Sequence, residues 1–152
     1  METIEKKVTD ITTYKVAVFA ALAMILFFLF MKMIGLVTVV ELRFLNYVIM
    51  FFAVRYILLS VRRTNNGKLE YLKGMMKGFM TVFFTSVFFA AFVFIYLSID
   101  RNFMNYLKDS QPFGSYLTAG SAALVNLIEG TAIGAIISFA LMHLLNRDND
   151  RG

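Results

Sequence analysis

Long apolar runs dominate the chain, and its polar residues are gathered in the segments between them. Four such runs cover about residues 15–35, 39–61, 78–99 and 117–143. Each run reaches or exceeds the roughly 20 residues that a helix needs to cross the hydrocarbon core of a bilayer. The runs lack the alternation of barrel strands, and only helices or closed barrels satisfy the backbone in lipid. The pattern predicts an all-α membrane protein with four transmembrane helices.

The connections between these runs predict an antiparallel bundle. Residues 35–38 form a tight link, which makes the first two helices a hairpin. Between the third and fourth runs, Ile99, Phe103 and Leu107 recur every four residues and predict a short helix lying in the membrane interface. A turn around Pro112 follows this helix. Neighbouring spans joined by such short segments are expected to run in opposite directions.

The two ends of the chain are more polar than the spans. Ile4, Val8 and Ile11 mark one apolar face of residues 1–13, which predicts a segment lying along the membrane surface. Residues 144–152 are predicted to form a polar tail. No loop is long enough for a soluble domain, so residues 1–152 are expected to form a single membrane domain.

The distribution of lysine and arginine predicts the orientation. Ten of them lie on the side that holds both termini and the central loop, four lie on the opposite side, and Arg55 lies within the second span. Because short cytoplasmic loops carry the excess of positive charge, both termini are expected in the cytoplasm.

Composition narrows the class of protein further. Hydrophobic residues make up 59% of the chain and charged residues 16%, which excludes a soluble globular enzyme and a disordered chain. The chain has no cysteine and one histidine, so no disulfide scaffold, metal site or cofactor is expected. The net charge of +5 comes from short loops beside apolar runs. This placement suits anionic lipid headgroups as the partner and argues against nucleic acid.

Glu129 is the first candidate for a functional side chain, because it lies near the middle of the fourth span. A charge at that depth costs from about 2.5 to more than 10 kcal/mol, so the carboxyl group needs a cation, a hydrogen bond or a proton. Arg55 is the predicted partner. It lies about four or five residues to the cytoplasmic side of the second span's centre, roughly 7 Å along the helix, and an arginine side chain spans that distance. The sequence favours a structural pair that fixes helix register, and a proton- or ion-coupling carboxylate is the alternative.

Small and polar residues recur around Glu129 at four-residue spacing and predict a helix-packing seam. They are Asn126, Gly130, Gly134 and Ser138. Gly130 and Gly134 match the GxxxG pattern, which lets two helix backbones approach closely. Packing within the chain, for example against the small residues Ser86 and Ala90, is favoured. Packing between two copies in a homodimer is the alternative. The second GxxxG match, at residues 74–78, is interpreted as a flexible helix start.

Lys32 and Glu41 flank the tight outer link between the first two spans. They can form an ion pair across this link. Equally, each side chain can extend separately to the lipid headgroups. The sequence does not separate these two alternatives.

The order of features resembles an uncharacterised family of bacterial four-helix membrane proteins, known as a domain of unknown function. The resemblance rests on the polar link at residues 66–74 before a Phe-rich third span. It rests also on the segment 111–113, which precedes a last helix rich in glycine and serine. The resemblance implies a location in the bacterial inner membrane, and it implies no activity or site residue.

No catalytic template is present: the chain lacks a Gly-x-Ser-x-Gly elbow, a Walker loop and a His-Glu-x-x-His helix. We therefore expect a protein that is not an enzyme. The leading expectation is an accessory subunit or a self-associating scaffold, with itself or another membrane protein as partner. The alternative is a small transporter or channel that uses Glu129. A transporter should show a water-accessible cavity at Glu129 with further polar groups, whereas a scaffold should seal Glu129 between helices.

Overall fold

The computed structural model describes residues 2–36, 44–64, 70–110 and 114–149, with side chains described for 11–36, 44–64, 70–110 and 114–145. Throughout these ranges the regular elements are helical. They are α1 (Glu2–Met33), α2 (Phe44–Thr64), α3 (Tyr71–Ile99), α4 (Arg101–Ser110), a 3₁₀ turn (Gly114–Tyr116) and α5 (Ala119–Asn149).

Four of these helices are long and apolar enough to cross a membrane. The apolar parts are Ile11–Met33 of α1, the whole of α2, the whole of α3 and Ala119–Leu145 of α5. The predicted all-α class with four transmembrane helices is therefore confirmed.

Three helices extend further than the apolar runs alone predicted. α1 is continuous from Glu2, so residues 2–13, predicted as a separate surface segment, belong to the same helix as the first span. α3 begins at Tyr71, seven residues before the predicted start, and α5 continues to Asn149, within the predicted tail. Hydropathy marks the part of a helix that suits lipid, whereas backbone hydrogen bonding continues until a residue breaks it.

α1 ends where a glycine permits a left-handed backbone. Gly35 has a φ of +75°. The backbone N–H of Leu36 then donates to the carbonyl of Met31 at 2.9 Å, which satisfies one of the last carbonyls of the helix. This cap closes α1 at the predicted link between the first two spans.

α4 is the short helix predicted from the spacing of Ile99, Phe103 and Leu107. Asp100 caps its start, because its Oδ1 atom accepts a hydrogen bond from the backbone N–H of Phe103 at 3.0 Å. Met104 is buried, and Phe103 and Leu107 pack against the core. The polar face of α4, with Arg101 exposed, points away from the bundle.

α3 is the central helix, since it packs against α1, α2, α4 and α5. The fully buried side chains around it are mostly aliphatic and include Met50, Val54 and Val82. The outer faces of the helices keep large apolar side chains exposed, for example Phe19 and Leu124. Such faces are compatible with a surrounding of lipid tails.

Candidate functional site

A small polar cavity lies between the four long helices. Its lining residues are Met24 of α1; Asn46, Tyr47 and Met50 of α2; Ser86 and Phe89 of α3; and Asn126, Glu129 and Gly130 of α5. About 20 Å³ of it is open to the centres of water molecules, which is room for one or two waters. Five of the nine lining side chains carry an oxygen or nitrogen atom. The cavity therefore brings five polar side chains together between apolar helices, within a wall that is otherwise apolar.

Glu129 is held at this cavity by a tyrosine. The hydroxyl group of Tyr47 donates a hydrogen bond to Glu129 Oε1. Both side chains are half-buried. Because Tyr47 lies on α2 and Glu129 on α5, the bond joins two helices that are far apart in sequence.

Two polar atoms at the cavity are buried without a hydrogen-bond partner among the described residues. They are Ser86 Oγ and Asn46 Oδ1, and the Ser86 side chain is only 3% exposed. Asn126 differs, because its Nδ2 donates to the carbonyl of Ala122 at 2.9 Å. A buried polar atom without a partner is costly unless a water molecule or an ion completes its hydrogen bonding.

The structure does not bring Arg55 to Glu129. Arg55 is exposed on α2, and its position is eight residues beyond Tyr47, about 12 Å along the helix axis. The ion pairs between described residues do not include Arg55 with Glu129. Nor is any charged side chain fully buried within the described ranges, so Glu129, predicted as a buried glutamate, is instead half-buried and bonded to Tyr47.

Tyr47 was not among the predicted site residues, although one signal for it exists in the sequence. Most tyrosines of the chain lie near span ends, but Tyr47 and Tyr56 lie inside the second apolar run. A tyrosine hydroxyl inside lipid needs a partner. The spacing of Tyr47 and Glu129 along two separate helices does not reveal that they meet, since this depends on how α2 and α5 are rotated.

The small residues of α5 lie against α3 in an antiparallel register. A Cβ atom added at Gly130 would lie 2.7 Å from Ser86 Oγ, and one added at Gly134 would lie 2.7 Å from Val82 Cγ2. Val82 faces Gly134, and Ser86, four residues later in α3, faces Gly130, four residues earlier in α5. These two glycines of the predicted seam therefore provide the close approach between two helices of the same chain.

The other two residues of the predicted seam have different surroundings. Ser138 lies opposite Gly78, where an added Cβ would be 3.2 Å from Ser138 Cβ. Gly78 was interpreted as part of a flexible helix start, but it is a buried residue within α3 at this contact. Asn126 instead lines the polar cavity. The seam and the cavity are thus adjacent along α5.

Lys32 lies near the C-terminal end of α1. Its contacts there are with α3 and with Asp100, the residue that follows α3. Its ammonium group binds Asp100 Oδ2 and Tyr96 Oη, and it lies 4.6 Å from the centre of the Tyr96 ring. Tyr96 also donates to Asp100 Oδ2 at 2.9 Å. Glu41, which forms a pair with Lys32 in one of the two alternatives, lies outside the described residues.

The environment of Asp100 perturbs its titration. The hydrogen bond from Lys32, and next the backbone N–H of Phe103, lower the pKa of the Asp100 carboxyl group below its ordinary value. This contact was not predicted, because Lys32 and Asp100 are 68 residues apart and no local spacing links them. They meet because the C-terminal ends of α1 and α3 lie side by side.

The described residues offer no group of three or more histidine, aspartate and glutamate side chains that could hold a metal ion. What the fold and the cavity define is a multi-pass integral membrane protein whose polar side chains meet between its helices. The chain belongs to the family described as "Protein of unknown function (DUF4199)", whose sequence profile matches residues 15–147. The match includes three of the membrane spans completely and the first from residue 15 onward, and it confirms the resemblance to a domain of unknown function. No curated protein and no solved structure matches the chain.

Proposed function

We propose that the protein is a small, non-catalytic membrane transporter or channel that couples a proton or a small cation at Glu129. The observation that carries this proposal is the polar cavity, where Glu129 lies with Asn46, Tyr47, Ser86 and Asn126. A transporter was expected to bring further polar groups to the same depth as Glu129, and four such groups line this cavity. This arrangement favours the transporter over the scaffold that the sequence alone favoured.

The cost of placing a carboxyl group within a membrane span also favours the transporter. Ionisable side chains within membrane spans are costly and commonly mark ion or proton pathways. A purely structural role does not require an ionisable group, because hydrophobic replacement of even a buried ion pair is often neutral or stabilising. A half-buried carboxylate beside a cavity lined by four further polar side chains is therefore better explained by a ligand that binds there.

The proposed location is the inner membrane of a bacterial cell, with both termini in the cytoplasm. Ten basic residues on one side of the spans against four on the other support this orientation. Among the described residues, Arg62 and Arg63 end α2 on the basic side. The expected partners there are anionic lipid headgroups, and nucleic acid is not expected.

A second candidate function is an accessory subunit or a self-associating scaffold. The hydrogen bond between Tyr47 and Glu129 favours it, because this bond joins α2 to α5. A role in fixing the packing of these two helices is sufficient to explain the bond. The GxxxG residues Gly130 and Gly134 already contact α3. Self-association would therefore need a different face of the protein, and an accessory subunit would need another membrane protein as its partner.

The test is proton flux into proteoliposomes that contain the purified full-length chain and a trapped pH-sensitive dye. A potassium gradient with valinomycin sets the membrane potential that drives proton entry. In a parallel series, sodium flux is measured under the same potential instead of proton flux. The variants are Glu129→Gln and the control Glu70→Gln. Glu70 is an exposed carboxylate at the start of α3, where it pairs with Lys73 at 2.9 Å.

The proposal expects flux above that of empty liposomes for the wild-type and Glu70→Gln proteins, and its loss in Glu129→Gln. Flux that is equal in all three proteins would contradict a role for Glu129. If no protein gives flux of protons or sodium, while Glu129→Gln loses stability or a copurifying membrane protein, the scaffold or accessory subunit replaces the transporter.

A further inference from the structure

We infer that the cavity is a binding site for a monovalent metal cation such as sodium, with Asn46 and Ser86 as neutral ligands and Glu129 as the charged ligand. This inference rests on the proposed function and specifies the substrate class of the same site. It is drawn from the oxygen atoms that line the cavity, from the two of them that lack partners, and from the burial and charge of the lining side chains.

The lining of the cavity is rich in oxygen. Its described residues carry six side-chain oxygen atoms, two on Glu129 and one each on Asn46, Tyr47, Ser86 and Asn126. Carboxylate and amide oxygens are ligands of hard cations, and carbonyl oxygens can replace the hydration shell of a monovalent ion. The space of about 20 Å³ open to water centres is enough for a small ion that has lost most of its hydration shell.

Two of these oxygens are buried without compensation. Asn46 Oδ1 and Ser86 Oγ have no hydrogen-bond partner among the described residues. An amide oxygen can only accept, so it needs a donor or a cation. The amide nitrogen of Asn126 donates to the carbonyl of Ala122 at 2.9 Å, which leaves the amide oxygen of Asn126 as its remaining polar atom at the cavity. A cation bound among these side chains would compensate the buried oxygens.

The burial of the lining side chains distinguishes a floor from a rim. Ser86 is only 3% exposed and Met50 only 1%. Asn46, Asn126 and Glu129 are half-buried. The half-buried side chains therefore form the rim through which an ion enters, with the carboxylate there to attract it. Ser86 provides the oxygen ligand at the floor.

The charge of the lining indicates a monovalent ion. Glu129 is the acidic side chain among the described lining residues, and the other oxygens belong to neutral groups. Calcium sites commonly use several carboxylates, and excess charge within a membrane span is costly. A carboxylate has two oxygens with about four lone-pair positions, so Glu129 can bind a cation while it keeps the hydrogen bond from Tyr47.

Thermal unfolding of the full-length protein in lipid nanodiscs tests this inference, with sodium chloride replacing choline chloride at constant pH and ionic strength. A ligand that binds only the folded state raises the midpoint temperature with the logarithm of its concentration, once this exceeds the Kd. We expect this rise in the wild type. In Ser86→Ala the rise should begin at a sodium concentration higher by roughly tenfold, as expected for the loss of one ligand. In Glu129→Gln it should be absent.

Ser138→Ala is the matched control, because the hydroxyl oxygen of Ser138 is also buried without a partner among the described residues. Ser138 does not belong to the described lining of the cavity, so this variant should keep the sodium response of the wild type. Calcium chloride at the same concentration as sodium should give the smaller rise. A larger rise with calcium would contradict a monovalent ion.

Absence of a sodium-dependent rise in the folded wild type would overturn the inference. A rise that Ser86→Ala and Glu129→Gln both retain in full would place the ion elsewhere and would also overturn it. If Ser86→Ala does not fold, the response of Glu129→Gln decides by the same criterion. Stabilisation by sodium without flux in proteoliposomes would retain this site and reject transport. Proton flux that depends on Glu129, without stabilisation by sodium, would retain transport and reject this site.

Discussion

Gly134→Ala should destabilise the protein because α3 approaches α5 too closely at this position for a methyl group. The added Cβ would lie 2.7 Å from Val82 Cγ2 and 2.8 Å from Met50 Sδ. Val82 and Met50 are both fully buried, so their side chains have little space to move. Excess volume in a packed core costs about 1–3 kcal/mol. Alanine regains about 0.5–1 kcal/mol of helix propensity, which leaves a net loss of about 1 kcal/mol.

Gly120→Ala is the matched control, because it makes the same chemical change in the same helix. There, the nearest atoms to an added Cβ are Thr118 Oγ1 at 3.9 Å and Phe94 Cε2 at 4.0 Å. The overpacking cost is absent, so this variant should be neutral or slightly stabilised. The difference in unfolding free energy between the two variants should be about 1–3 kcal/mol.

The assay is equilibrium unfolding in mixed micelles, followed by helical circular dichroism. Val82→Ala supplies an internal check, because it removes both methyl groups nearest to the new Cβ. The loss of unfolding free energy in the double variant Gly134→Ala/Val82→Ala should therefore be about 1 kcal/mol smaller than the sum of the losses in the two single variants. Equal stability of Gly134→Ala, Gly120→Ala and the wild type would show that α3 does not pack closely on Gly134.

Three further outcomes are expected. Tyr47→Phe should lower the unfolding free energy by about 1–2 kcal/mol, because Glu129 loses a charge-assisted hydrogen bond. Tyr56→Phe, on the exposed side of α2, should leave it unchanged. Similar effects of both changes would argue against the bond. Because the folded pKa of Asp100 is lowered, its contribution to stability is present at neutral pH and is lost as the pH falls below about 4 and through that lowered pKa. Unfolding measured against pH should therefore show a smaller acid loss for Asp100→Asn, and an unchanged profile would oppose this. Single cysteines at Asn66 and Ser110 should differ toward an impermeant thiol reagent on intact cells, with Ser110 labelled; labelling of Asn66 alone would reverse the topology.

The four helices could be predicted from the sequence because burial in lipid imposes length and apolarity on each span separately. The seam of Gly130 and Gly134 could also be recognised, since its four-residue spacing is a property of one helix. Ser86 and Ala90 of the third span were one candidate for the covering surface. The structure places α3 there, through Ser86 and Val82.

The partners of charged and polar side chains could not be predicted in the same way. Arg55 has the right charge for Glu129 but lies on an exposed face of α2, whereas the neutral Tyr47 faces the carboxylate. Depth along a span can be counted from the sequence, but the rotation of each helix about its axis cannot. Lys32 and Asp100 show the same limit, since their contact depends on α1 and α3 being neighbours.

Water-edited solid-state NMR in lipid bilayers tests the hydrated cavity at Glu129 most directly, by comparing Ser86 with Ser138. Both hydroxyl oxygens are buried without a partner among the described residues, and both side chains lie in the contact between α3 and α5. Only Ser86 of the two lines the cavity beside Glu129. The two signals are assigned through Ser86→Ala and Ser138→Ala. The account predicts that magnetisation from water reaches the Ser86 side chain rapidly and the Ser138 side chain slowly. Equally slow transfer to both would mean that the cavity is dry and would contradict a water-linked site at Glu129.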